Sequence, residues 1–372
     1  MADVYFYQNG RFTATDDLSV CGGVSFSPLR ASDNSQIYIF PGFVDVHVHL
    51  REPGFSYKET IAAGTAAAKR AGYAAVCTMP NLDPVPDSLP HLRAQLEIIE
   101  RDAAIKVIPF GAITVGERGE ALSDMESMAP YVCGFSDDGR GVADDGLMRE
   151  AMLRAKALSK VISAHCEDLS QKGKASEWKQ IERDIRLASD TGCAYHVCHI
   201  SCKESVQIIK DAKKSGVDVT CETAPHYLTL CDKDIKDDGK FKMNPPINSA
   251  LDRDALVEAL ADGTVDIVAT DHAPHSKEEK SRGFKDSLNG IVGLETAFPV
   301  LYTFLVKRGL ITLERLIEAM STVPAKRFSI DISGFAAAYD LAACYVIDSE
   351  KFLSKGRSTP FEGMRVYGKS LQ

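Results

Sequence analysis

Residues 43–270 switch repeatedly between a short, β-branched apolar run and a longer stretch of helix-forming residues. This alternation limits the fold more than any other feature of the sequence. The short runs fall at 43–49, 73–79, 105–113, 132–136, 161–164, 194–199, 217–221 and 265–270. Between them, 56–70, 89–102, 123–128, 146–159, 178–189, 203–214 and 251–260 have the composition of helices. Strands separated by helices pair in parallel through right-handed crossovers. Eight such units predict an α/β chain closed into a (β/α)8 TIM-like barrel. A doubly wound open sheet is the alternative, but no glycine-rich dinucleotide fingerprint follows the first strand.

The flanks read differently. Residues 1–40 contain short alternating segments at 4–7, 23–26 and 36–39. After 271 the chain reads as helical at 296–307 and 312–321, then returns to strand-like pieces at 343–347 and 364–367. The expected division is therefore 1–40, 41–328 and 329–372, with the two chain ends forming a small β-sandwich domain beside the barrel.

Composition excludes several classes. The 372 residues are 45% hydrophobic and 26% charged, enough for a large core. Net charge is −9 and no long basic run occurs, which argues against nucleic acid as a partner. No apolar stretch reaches the ~18 residues a membrane span needs. The N-terminus has no basic segment followed by an apolar core, so no signal peptide is expected. Ten cysteines form no CxxC pair and mostly sit inside apolar runs, as reduced, buried residues of a cytoplasmic protein do. Cys166 and Cys198 neighbour histidines, but strand alternation turns them toward the barrel wall.

Active sites of such barrels lie at the C-terminal mouth. The strand ends carry His47 and His49, then Asn81, Asp137-Asp138, His165, His199, Glu222 with His226, and Asp271 with His272 and His275. Eight of nine histidines lie at or near these ends, His91 being the exception. His47 and His49, two apart on a strand, project side by side. Imidazoles and carboxylates without clustered thiolates suit Zn²⁺ best, with Mn²⁺, Co²⁺ or Fe²⁺ as alternatives. Four His and two Asp exceed the needs of one tetrahedral zinc. They suffice for two ions sharing a bridging carboxylate and a bridging hydroxide.

The segments VDVHVHLREPG, VCTMPN, SDDG, AHCED, YHVCHIS, KMNPP and ATDHAPH, in that order, resemble the dihydroorotases of the amidohydrolase superfamily. The resemblance runs from about residue 40 to 328, and STPFEGM at 358–364 resembles that family's C-terminal segment. It implies that His47, His49 and Asp271 hold one zinc, that His165 and His199 hold a second, and that Asp138 bridges them. Asp137 is the neighbouring candidate. It further implies that Arg51, Asn81 and His275 bind the carboxylate of dihydroorotate, that Asn244 meets the ring, and that Asn289 and Gly290 contribute from a later loop. Asp271 would pass a proton from hydroxide to the leaving nitrogen, opening the ring to N-carbamoyl-L-aspartate; the reverse reaction serves pyrimidine biosynthesis. Without the resemblance, Arg51 reads as an ion pair with Glu52 or Glu59, and Asn81 and Asn244 as turn residues.

The resemblance leaves open a homodimer and an association with aspartate carbamoyltransferase. His165 and His199 are only 34 residues apart, closer than in relatives of the Asp-bridged type, and Asn289 stands where a bulky apolar residue is common. The charged loop 276–283 reads as a mobile segment. Two rivals remain: a hydantoinase or allantoinase acting on a different cyclic ureide, and an inactive barrel serving as a carbamoyltransferase subunit.

Overall fold

The structure, a computed structural model, describes residues 3–14 and 35–372. The strand expected at 23–26 lies outside the described residues. The barrel strands follow the expected order: β4 (Phe43–Val48), β5 (Tyr73–Thr78), β6 (Lys106–Pro109), β7 (Gly111–Ala112), β8 (Gly134–Ser136), β9 (Val161–Ala164), β10 (Tyr195–Val197), β11 (Val219–Thr223) and β12 (Ile267–Val268). The run expected as one strand at 105–113 is split at Phe110, and β6 pairs with β5 while β7 pairs with β8. All of these pairings are parallel. The first and last strands meet through a parallel bridge between Val48 and His272, and the His49 N–H donates to the His272 carbonyl at 2.8 Å. Thr270 adds a bond from its hydroxyl to the Asp45 carboxylate at 2.6 Å.

Local chemistry places the helix ends. The helix expected to start at 56 starts later, as Ile61–Arg70, because Thr60 is extended and its side chain caps the Ala63 N–H. Lys203–Lys214 forms as read, and Ala250–Asp262 begins with a Ser249/Asp252 capping box. Along β4, Val44 and Val46 pack with Ala75, Cys77, Phe110 and Ile267. Ala325, Phe328 and Ile330 belong to the same cluster, and Arg327 donates to the Tyr195 carbonyl at the start of β10. This segment therefore plugs the N-terminal end of the barrel, leaving the C-terminal mouth open.

The chain ends meet in a five-stranded sheet of order β14-β13-β3-β1-β2. Its strands are β1 (Asp3–Gln8), β2 (Arg11–Ala14), β3 (Gln36–Pro41), β13 (Ala336–Val346) and β14 (Arg365–Ser370). It is joined to the barrel by aromatic packing. Phe40 of β3 lies 5.3 Å from Phe43 of β4, 5.5 Å from Phe298 and 5.6 Å from Tyr339 of β13, centroid to centroid. All four rings are buried. Truncating a buried Phe costs about 3–5 kcal/mol. Phe40→Ala is expected to lower unfolding stability by that amount in denaturant titration; a loss within the error of the titration would show that the two parts are stable separately.

Candidate active site

His47 and His49 leave β4 with ring centroids 5.4 Å apart, at a register shift between Asp45 and Val48. His165 follows β9 and His199 follows β10, their centroids 4.8 Å apart. Asp138, two residues past β8, stands among all four imidazoles. Its carboxylate lies 3.3 Å from His47 Nε2, 3.6 Å from His49 Nε2, and 3.7 Å from both His165 Nδ1 and His199 Nε2. Asp271 lies 3.1 Å from His49 Nε2 and 3.6 Å from His47 Nε2. Asp137 faces away, accepting from the Ile113 and Thr114 N–H groups at 2.7 and 3.0 Å.

Three of the residues at this mouth have left-handed backbone: Arg51 (φ 62°), His199 (φ 32°) and Asp271 (φ 48°). Such conformations cost roughly 1–3 kcal/mol each in non-glycine residues. They explain how consecutive residues serve one site. A regular strand would send Cys198 and His199 to opposite faces, yet both reach His47. Cys198, expected toward the wall, is a buried neighbour of His47 and Glu222, bonded to Ser163 at 3.1 Å. Burial pushes its thiol up to about 12, so it stays protonated. Cys166 packs behind the strand against the Tyr195 hydroxyl at 3.3 Å.

The donors are set for a cation. Burial would raise the Asp138 carboxyl, but His47 and the other imidazoles outweigh it and hold it well below the usual range. Asp271 is lowered too, burial being outweighed by the His49 bond and His47. His47 Nε2 and Asp138 Oδ1 are buried without a hydrogen-bond partner, and His165 Nδ1 faces His199 Nε2 at 3.0 Å. Lone pairs that converge and are not satisfied by protons fit a metal. Donor sets lie at His47/His49/Asp271 and at His47/Asp138/His199. The outer ring nitrogens are held in turn. His47 Nδ1 meets Glu222 at 2.7 Å, and Glu222 also meets His196 Nε2 at 3.1 Å. Burial would raise the Glu222 carboxyl, but these imidazoles lower it and keep it ionised. From the sequence Glu222 reads only as a strand-end residue. The signal was available, since a carboxylate inside an apolar strand needs a partner.

Above this cluster a cleft of about 190 Å³ is lined by Arg51, Asn81, Asn244, His275, Asn289 and Gly290, together with His49, Asp138, His165 and Asp271. Arg51 is buried and, among the described residues, forms no ion pair. Its Nε donates to the Pro274 carbonyl at 3.3 Å. Glu52 instead accepts the Ile61 N–H, and Glu59 accepts the Ser354 hydroxyl. Asn81 is turned toward the cluster, its Oδ1 2.9 Å from His49 Nδ1 and its Nδ2 3.4 Å from Asp138. Gly290 is required as glycine: its φ is 131°, and a Cβ would meet the Ala273 carbonyl at 2.6 Å. The loop after His275 forms a short capped helix, Lys277–Lys280, held by Tyr57 and Lys58 through Glu279 at 3.1 and 3.2 Å.

The barrel and its donor-lined mouth define an amidohydrolase-type fold. The L-hydantoinase (dihydropyrimidinase) from Arthrobacter aurescens superposes with a TM-score of 0.81 at 25% identity, covering 100% of this chain and 94% of that one. The D-hydantoinase from Thermus sp. gives 0.78 at 24%, covering 92% and 86%. In sequence, the dihydroorotase of Fusobacterium nucleatum subsp. nucleatum is 50% identical over 359 residues, 89% of this chain and 84% of its own length. That of Bacillus cytotoxicus is 44% identical, covering 98% and 95%. A family model described as Dihydro-orotase-like matches residues 37–176. The chain belongs to the dihydroorotase family.

His275 is held neutral. Its Nε2–H donates to the Asn289 carbonyl at 2.7 Å and its Nδ1 accepts from Lys58 at 3.2 Å. Burial, then the Arg51 and Lys58 charges, lower its pKa to about 3. The stability this neutral imidazole contributes is complete above the free value of about 6.5 and is lost as pH falls toward the folded value. The urea midpoint of the wild type should therefore fall more between about pH 7 and about pH 5 than that of His275→Asn. Equal falls would mean that His275 is not held neutral by its surroundings.

Proposed function

We propose that the chain catalyses the reversible hydrolysis of dihydroorotate to N-carbamoyl-L-aspartate, with two Zn²⁺ ions per chain. The observation that carries this reading is Arg51, a buried guanidinium without a carboxylate partner among the described residues, facing the cleft beside the His/Asp cluster. A guanidinium fork matches a planar carboxylate, and an uncharged hydantoin ring offers no such group. Among the curated relatives, identity to proteins named dihydroorotase is 43–50%, which supports the same substrate.

His47, His49 and Asp271 would hold one ion, His165 and His199 the other, with Asp138 between them. When bound, the ions would supply Lewis acidity toward the ring carbonyl and lower the pKa of water. Arg51 orients the substrate through its carboxylate, aided by Asn81 and His275 once their present bonds are exchanged. Asn244 accepts from the ring, and the Asn289–Gly290 backbone lines its far side. Asp271, 3.1 Å from His49 Nε2, takes the proton of the attacking water and delivers it to the departing ring nitrogen. The catalytic unit is assigned to 41–328, with 1–40 and 329–372 as the accessory β-domain. The nine described cysteines are free, which supports the cytoplasm as the compartment.

The test is turnover of dihydroorotate beside hydantoin and allantoin, with and without chelator, read with elemental analysis. Preference for hydantoin or allantoin, or full activity without metal, would overturn the reading. Asp271→Asn should retain metal and lose at least about 10³-fold in kcat, within the range removal of a catalytic acid–base spans. Arg51→Gln should raise KM for dihydroorotate at least about tenfold, the loss of one charge-assisted pair. An unchanged KM would place the substrate carboxylate elsewhere.

A further inference from the structure

We propose that Glu167 is a positioning residue that fixes, through one carboxylate oxygen, both the tautomer of His165 and the amide orientation of Asn244. The inference rests on the reading that Asn244 meets the substrate ring. Glu167 Oε2 lies 3.3 Å from His165 Nε2 and 3.1 Å from Asn244 Nδ2. The backbone around it is clamped by buried Gln180, whose amide accepts the Glu167 N–H at 3.0 Å and donates to the His165 carbonyl at 3.3 Å.

An ionised carboxylate only accepts, so both partners must donate to it. His165 therefore carries its proton on Nε2, leaving the Nδ1 lone pair toward His199 Nε2 and Asp138. An imidazole protonated on Nδ1 would put that proton where a metal belongs. Asn244 must turn its NH₂ to Glu167, because the flipped amide would set oxygen against oxygen. Its Oδ1 is then left as an acceptor, and no described protein donor meets it. The cleft wall thus demands an N–H from its ligand, as a ureide ring supplies, and disfavours a carbonyl at that point. Glu167 also stands at the partition between two spaces. The cleft and an outer cavity of about 370 Å³ share His165 and Asn244, and Glu167 lines the outer one.

The test uses Glu167→Ala, Glu167→Gln, Asn244→Ala and the double variant Glu167→Ala/Asn244→Ala. Zinc affinity of the metal-stripped proteins is measured by titration, and KM and kcat for dihydroorotate are measured at saturating zinc. Glu167 is partly exposed and these proteins are expected to fold. Glu167→Ala should weaken zinc binding about 10–100-fold, as loss of a carboxylate behind a ligating imidazole does. It should also raise KM about tenfold, with a smaller effect on kcat. Adding Asn244→Ala should raise KM no further. Glu167→Gln, whose carbonyl oxygen can stand in place of Oε2, should restore KM to within about threefold of wild type. Unchanged zinc affinity and KM in Glu167→Ala, or additive losses in the double variant, would overturn the proposal. Equal losses in the Ala and Gln variants with a lowered melting temperature would reduce Glu167 to a structural role and also overturn it. If the wild type binds zinc yet does not turn over dihydroorotate, the substrate reading fails. The zinc titration still decides the His165 half of the proposal.

Discussion

Converging lone pairs are the constraint on which this molecule depends. Four imidazoles and two carboxylates are buried around a space a few ångströms across. In water each would be solvated; here they face one another. Such a cluster is costly unless protons or cations neutralise it. The outer ring nitrogens of His47, His49 and His165 are committed to Glu222, Asn81 and Glu167 respectively, so the inner nitrogens are free to act as donors toward the centre. The carboxylates behind the rings are as much part of the site as the rings themselves.

The barrel makes the cluster affordable by supplying rigidity from every side. Each candidate ligand sits at or just beyond the end of a parallel strand. The opposite end is sealed by the Ala325–Ile330 segment, where Phe328 meets buried His196 edge to face at 5.2 Å between centroids. The left-handed backbone at Arg51, His199 and Asp271 lies just past the ends of β4, β10 and β12. At these three positions the chain leaves the sheet and re-aims a side chain toward the mouth.

Much of this was legible in the sequence for a simple reason: alternation of apolar and polar residues reports secondary structure, and secondary structure in a barrel reports where side chains converge. His47 and His49 at spacing two are readable from that logic; alternation admits only one of Asp137 and Asp138, and the choice of Asp138 rests on the resemblance. What was not legible depends on departures from regularity. Strand alternation assigns Cys198 to the wall, and the turn at His199 breaks that alternation. The run at 105–113 reads as one strand from its apolar residues, but Pro109 and Gly111, which flank the switch of partners at Phe110, are the breakers that mark it. Asn81 reads from the resemblance as a substrate contact; it lines the cleft, and its present bonds to His49 and Asp138 are a matter of side-chain rotation that spacing does not encode. The loop at 276–283 reads as mobile from its charges; the contacts of Glu279 with Tyr57 and Lys58 are a pairing that spacing does not encode.

The small sheet has a consequence for biosynthesis. Its central pairing joins β3 to β13, about 300 residues apart in the chain. As the polypeptide emerges from the ribosome, β3 must wait with one edge unpaired until nearly all of the barrel has been made. An open edge is a template for association with other chains, and pairings this distant form slowly. The newborn molecule is thus most vulnerable to aggregation late in translation, when its catalytic half is already assembled and only the seam between its two ends is missing.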